Sequence, residues 1–172
     1  KYGLKSFSSL ESLFNSSNAV SIVTPTYAHY EIACLALKND CHVFIEKPIT
    51  DNLNDAKKLL KKAKKLNKII QVGHVERFNP GFLELKKINP KPKFIEIHRL
   101  APFSLRGNDV PVILDLMIHD LDIIISLLGN EITDISADGV KVVSKLIDIA
   151  NVRLKFKSGC VVNLKASRIS QK

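Results

Sequence analysis

The chain has 172 residues, 45% of them hydrophobic, and a formal net charge of +9. That length can bury one good core or contribute to two smaller ones. No apolar run approaches the roughly 20 residues needed to span a bilayer, because Asp, His or Lys interrupts each within a few positions, which argues against a membrane role. The charge invites a nucleic-acid reading, but seven of the lysines lie between Lys57 and Lys68. There Ala56, Leu59, Leu60, Ala63 and Leu66 recur at helical spacing and leave the lysines on the other side, as on a solvated helix face. Three cysteines, Cys34, Cys41 and Cys160, are widely spaced and form no C-x-x-C pair. They suit a reducing cytoplasm and plain packing better than a disulfide framework or a zinc site.

In chain order, Ser8-Ser9-Leu10-Glu11 has the Ser-x-x-Glu form of a capping box and predicts a short helix from Leu10 to Phe14. Ala19 to Val23 reads as a buried strand ended by Thr24-Pro25. A helix is expected from about Tyr27 to Lys38, ended by Asn39-Asp40, whose side chains tolerate left-handed backbone. Val43 to Ile45 is a second strand, cut off by Glu46-Lys47-Pro48. A lysine-rich helix from about Leu53 to Leu66 leads to a third strand, Ile69 to Val72. Buried strands alternating with helices predict an α/β fold, the C-terminal part of a Rossmann-type parallel sheet, which binds ligands beyond the carboxyl ends of its strands.

After Asn79-Pro80 the pattern changes. Phe94 to Leu100 alternates as a strand, and a loop with Pro102, Gly107 and Pro111 leads into a long apolar helix from about Val112 to Leu128, stopped by Gly129. Three more strands, about 132–143, 147–156 and 160–166, are joined by short turns such as Ser158-Gly159 and predict a mostly antiparallel sheet. The expected organisation is a partial dinucleotide-binding domain over residues 1–77 and a partial α+β domain for substrate and oligomer contacts over 78–172. The start at Lys1 without Met favours truncation.

Two features carry chemistry. Lys47, at the end of an apolar strand, is placed to be partly desolvated, which lowers a lysine's proton affinity and aims a donor at the crevice; a solvated loop lysine has the same local sequence. In the long helix, Asp115, His119 and Asp122 fall at i, i+4 and i+7 on one stripe of Leu, Ile and Met. A satisfied polar cluster orienting the helix is one reading. The other is a general base, His119, with Asp115 binding substrate or holding the ring. Three such groups without a fourth ligand argue against a metal.

Taken together, Ser21-Ile-Val-Thr-Pro-Thr-Tyr-Ala-His29, His42-Val-Phe-Ile-Glu-Lys-Pro48, Gly73-His-Val-Glu-Arg-Phe-Asn-Pro80 and Asp115-x-x-x-His119 resemble, in order and spacing, the glucose-fructose oxidoreductase and inositol dehydrogenase family (Gfo/Idh/MocA). The resemblance covers essentially the whole chain. It implies a catalytic set of Lys47, Asp115 and His119, and NAD or NADP contacts at Thr24, Pro25, His29, Glu46 and Lys47, with a helix-cap role as the alternative for His29. It also allows a cis Lys47-Pro48 peptide. The implied reaction is hydride transfer from a sugar carbinol carbon to the nicotinamide while His119 removes the hydroxyl proton, Lys47 bonds the oxygen and Asp115 positions sugar and histidine. Relatives are commonly dimers or tetramers, so a cytoplasmic homo-oligomer is implied.

The stretch His98-Arg99-Leu-Ala-Pro-Phe-Ser-Leu-Arg106-Gly107 is similar to bacterial members that oxidise the 3-hydroxyl of UDP-N-acetylglucosamine. It implies a nucleotide-sugar substrate met by Lys47, Arg77, Arg99, Arg106, Asp115 and His119, although each arginine also has a structural reading. The sequence departs from the family in two places. None of the seven glycines falls two from another, so no G-x-G-x-x-G fingerprint is present. Asp40 stands where relatives usually have glycine, which calls for another route into the strand. The expectation is that these residues alone bind cofactor poorly. A non-catalytic binding relative and a basic nucleic-acid-binding protein remain the competing classes.

Overall fold

The computed structural model describes residue 3, residues 5–104 and residues 109–170. The chain divides into two compact units, Lys1–Gly73 and His74–Lys172.

In the first unit a short helix α1 (Leu10–Phe14) precedes three strands, β1 (Ala19–Ile22), β2 (His42–Ile45) and β3 (Ile70–Val72), with α2 (Thr26–Lys38) and α3 (Leu53–Lys65) between them. The strands are parallel in the order β1-β2-β3, with Ile22 opposite Ile45 and Ile45 opposite Val72. Alternation on β2 turns Val43 and Ile45 inward, where Ala33, Ala36 and Leu37 of α2 and Leu59 and Ala63 of α3 complete the core.

The capping serine of α1 is Ser9 rather than Ser8. The helix starts at Leu10, so the third helical N–H is that of Ser12, and it donates to Ser9 Oγ at 3.2 Å. Asp40 needs no other route into β2, because it takes the left-handed backbone itself with φ 65°. A short polar side chain tolerates that conformation better than most. Helix α3 is capped by Asn52, whose Oδ1 accepts from the Asp55 N–H at 2.9 Å. Replacing Asn52 by alanine is expected to destabilise the protein by about 1 kcal/mol in urea unfolding; no measurable change would mean that the cap is redundant.

The second unit opens with a 3₁₀ turn (Val75–Phe78) and α4 (Pro80–Ile88), followed by β4 (Phe94–Leu100). Then come a π-helical turn (Ile113–Met117), α5 (Ile118–Leu128), β5 (Ile132–Val140), β6 (Ile149–Phe156) and β7 (Val161–Ser167). The sheet order is β4-β7-β6-β5, antiparallel among β5, β6 and β7 and parallel between β4 and β7. The expected strand bounds at 143 and 147 contract to Val140 and Ile149, because residues 141–148 form a loop folded around Asp148. Ile95 and Ile97 of β4 turn to one face of the sheet, where Met117 and Ile124 of the π/α5 segment pack against Leu154, Val162 and Leu164. The opposite face carries Glu96 and His98, joined side chain to side chain at 3.0 Å.

The parallel Rossmann-like sheet and the mixed, mostly antiparallel second sheet are those expected from the sequence. The single long helix is not. It is split at Met117, and the turn before the split is underwound.

Candidate active site

The carboxyl ends of the three parallel strands are held level. The Glu46 N–H donates to Ile22 O at 3.0 Å and the Gly73 N–H to Ile45 O at 2.8 Å, so the ladder continues one residue past β2 and β3. Beyond β1 the chain runs through Thr24 and Pro25, both exposed, and α2 starts with Pro25 at its N-cap. Beyond β2 lie Glu46 and Lys47, both half-buried, and a cis Lys47–Pro48 peptide. The Lys47 N–H donates to Glu46 Oε2 at 3.3 Å, turning that carboxylate back over the strand end. Gly73 leaves little room beneath it, since an added Cβ would lie 3.2 Å from Glu46 Oε2 and 3.3 Å from the Phe44 ring.

His29, from the second turn of α2, ties these strand-end loops together. Its ring is buried, with Nδ1 2.9 Å from Pro48 O and Nε2 2.9 Å from Thr24 O. A neutral imidazole carries one N–H, so it can donate to only one of the two carbonyls at a time. The ring does not cap α2, where no side-chain cap bond is made. These level ends fit the nicotinamide half of a dinucleotide, with an exposed Thr-Pro turn, a half-buried lysine and a glycine that keeps the surface open. No residues here fit the pyrophosphate, for which closely spaced glycines are the usual cradle.

In the second unit, Asp115 lies within the π-turn and His119 in the first turn of α5, both half-buried. The Ile118 N–H reaches back to Ile113 O, the i→i+5 bond of a π-turn, while the N–H groups of Leu114 and Asp115 both donate to Pro111 O. A wider turn advances less angle per residue, so a residue four positions on falls closer to directly above than in an α-helix. The Asp-x-x-x-His spacing is therefore read across an irregular turn, a placement common at functional sites.

Asp122, the third member of the expected stripe, is engaged elsewhere. Arg77 grips it with Nε and Nη2 at 2.7 and 2.6 Å, and Arg99 grips the neighbouring Asp120 in the same way at 2.8 and 2.6 Å. Each guanidinium is held above its usual range, chiefly by the hydrogen bond to its aspartate. His74 turns its buried Nδ1 toward Asp122, 3.9 Å from Oδ1 and too far for a hydrogen bond. Arg106 lies outside the described residues. Asp120 was not expected from the sequence as a member of any site, and His74 only as part of the polar Gly73-His74 end of the third strand. The only prior signal for Asp120 was an acid on an otherwise apolar helix, which requires a partner.

In chain order, then, a parallel sheet with open, polar strand ends precedes a helix-on-sheet unit carrying Asp115 and His119. The profile described as "Oxidoreductase family, NAD-binding Rossmann fold" matches residues 1–74, and the GFO/IDH/MocA C-terminal domain matches residues 104–172. UDP-N-acetylglucosamine 3-dehydrogenase of Acidithiobacillus ferrooxidans is 39% identical over 166 residues, covering 96% of this chain and 53% of that protein. The scyllo-inositol 2-dehydrogenase (NAD(+)) of Bacillus subtilis is 33% identical, covering 89% of this chain and 49% of the relative. A solved structure of the Acidithiobacillus enzyme superposes with a TM-score of 0.90 at 38% identity, covering 98% of this chain and 56% of that one. The chain spans about half the length of the curated relatives that it matches. It belongs to the Gfo/Idh/MocA family, and its first unit is part of that family's NAD-binding domain.

Proposed function

We propose that the protein containing this chain is an NAD(P)-dependent dehydrogenase acting on a secondary hydroxyl of a sugar or nucleotide sugar, with the 3-hydroxyl of UDP-N-acetylglucosamine as substrate. What supports this most is that one chain carries both Lys47 at the end of β2 and Asp115 and His119 at the π/α5 junction, and is 39% identical to a dehydrogenase of that substrate. Bound nicotinamide supplies the hydride acceptor, the chemistry no side chain provides.

The chain's own residues do the rest. Thr24, Pro25, His29 and Glu46 shape the bed for the nicotinamide, His29 by standing between the Thr24 and Pro48 carbonyls. Lys47 donates to the reacting oxygen as it becomes a carbonyl. His119 takes the hydroxyl proton as general base, and Asp115 orients the sugar and the ring. A homo-oligomer in a reducing compartment completes the reading. It is supported by the exposure of β5, Ile135 included, and by three cysteines none of which forms a disulfide.

The test is turnover by the full-length protein, followed by the appearance of reduced nicotinamide. UDP-N-acetylglucosamine is expected to be oxidised faster than myo-inositol, giving a 3-keto product identifiable by NMR. Reduction with inositol alone would overturn the substrate. Tight nucleotide-sugar binding without any reduction would make the protein a binding module.

A further inference from the structure

The two bidentate arginine pairs on α5 do more than neutralise charge, because of where they sit around the helix. Successive residues of an α-helix are rotated by about 100°. Asp120 is therefore displaced about 100° to one side of His119, and Asp122 about 60° to the other. The partners come from separate elements. Arg99 lies on β4, in the sheet against which α5 packs, and Arg77 lies on the 3₁₀ turn that opens the unit. The carboxylates are 4% and 9% exposed, so neither can exchange its fork for water without cost. Glu76, beside Arg77 in the same turn, also favours the charge on Arg99.

Elsewhere on the helix, Leu121, Ile124 and Leu128 pack on the sheet through apolar contacts, and Lys86 Nζ reaches Ser126 Oγ at 3.4 Å. The turn before α5 is widened to π geometry. A planar guanidinium fork, by contrast, specifies both distance and direction.

We propose that Arg77–Asp122 and Arg99–Asp120 form a two-sided clamp that fixes the rotation of α5 and thereby aims the His119 ring, so that Arg77 and Arg99 are positioning residues rather than substrate contacts. This rests on the dehydrogenase reading for its kinetic consequence, but the aim of the ring exists with or without turnover. His74 Nδ1 lies 3.9 Å from Asp122 Oδ1, the oxygen that Arg77 Nη2 bonds.

The test uses the full-length protein with Arg99→Ala, Asp120→Ala and the double variant, and with Arg99→Lys, which keeps the charge and loses the fork. Misplacing a reacting group by about 1 Å can cost 10²-fold in rate. Each alanine variant is expected to lose about 10- to 100-fold in kcat with KM within about twofold of wild type. The double variant should be no worse than either single one, because both remove one interaction. Arg99→Lys should fall between, and it serves as the well-folded member of the set if the alanine variants fail to fold.

A rise in KM for Arg99 variants alone, with kcat and Asp120 variants unaffected, would assign Arg99 to the substrate. A lowered melting temperature with wild-type kcat and pH profile would reduce the clamp to a purely structural role. Both outcomes overturn the proposal. If wild type shows no turnover, the dehydrogenase reading fails and the clamp is judged from the ¹⁵N resonances of the His119 ring. These should shift in Arg99→Lys and stay put in the control Arg153→Lys, and unchanged resonances in both would sink it.

Discussion

Replacing His119 by asparagine in the full-length protein is expected to lower kcat by about 10²- to 10⁴-fold, the usual worth of a positioned general base. Asparagine keeps polar character of similar reach at the start of α5 but cannot take up a proton near neutral pH. Binding of substrate and cofactor should therefore survive, and the loss should fall on kcat rather than KM. Lys47→Met should give a loss of comparable size for a different reason. The stem at the half-buried strand end is preserved, while the donor proposed to meet the developing carbonyl oxygen is removed. If either variant turns over at the wild-type rate, the residue is not in the machinery. If both do, the family fold is serving another purpose in this protein. Measuring nucleotide-sugar affinity alongside kcat separates these outcomes from misfolding.

The largest effect on stability is expected at Asp148, which belongs to neither motif. Its carboxylate is fully buried and accepts from the N–H groups of Val142, Val143 and Ser144 at 2.8–2.9 Å, from Ser144 Oγ at 2.7 Å and from Arg168 Nε at 2.9 Å. Burial alone would push this carboxyl up, but the hydrogen bonds from Ser144, Val142 and Val143 outweigh it and hold it far below the usual carboxylate range. Arg168 passes the connection on through Nη1 to Val110 O at 2.9 Å, just ahead of the turn that carries Asp115.

Asp148→Asn leaves a buried guanidinium without its counter-charge and turns an amide N–H₂ toward donors, so about 3–5 kcal/mol of stability should be lost. The pH dependence follows from the direction of the shift. A group depressed in the folded state contributes stability that is fully present above its unfolded pKa, near 3.9, and is lost as pH falls toward the folded value. The gap between wild type and Asp148→Asn in urea unfolding should therefore be constant from neutral pH down to about 5 and narrow below about 4. A gap under about 1 kcal/mol, or one that does not change with acid, would contradict the buried-pair account.

Much of this architecture was legible in the chain because local pattern and tertiary environment agree. β4 runs from Phe94 to Leu100 as its alternation requires, and the β-α alternation of the first seventy residues gives the parallel sheet. Where the two part company, the physical reason is visible. Asn79-Pro80-Gly81 reads as a break in the chain, yet Asn79 caps α4 by accepting from the Gly81 N–H, Pro80 occupies the first helical position, and Asn89 ends the helix in left-handed backbone. The apolar positions Phe82, Leu83, Leu85 and Ile88 could have located that helix.

The π-turn at Ile113–Met117 has no such signal, since hydrophobic periodicity does not register one widened turn inside a long apolar run. Nor could the sequence supply the partners of Arg77 and Arg99. The bonds to Asp122 and Asp120 span 45 and 21 residues, and the parallel pairing of β4 with β7 is equally remote. Lys47, Asp115 and His119 stood out by type and position. Their roles came from resemblance, and the groups that would steer them lay hidden in long-range contacts.

The imidazole of residue 29 has a mechanical implication as well. A single five-membered ring stands between two peptide oxygens belonging to different crossovers of the sheet. With one proton it can bond either turn but not both together. The tautomer it adopts therefore decides which of the two turns is tethered, at a position hidden from solvent.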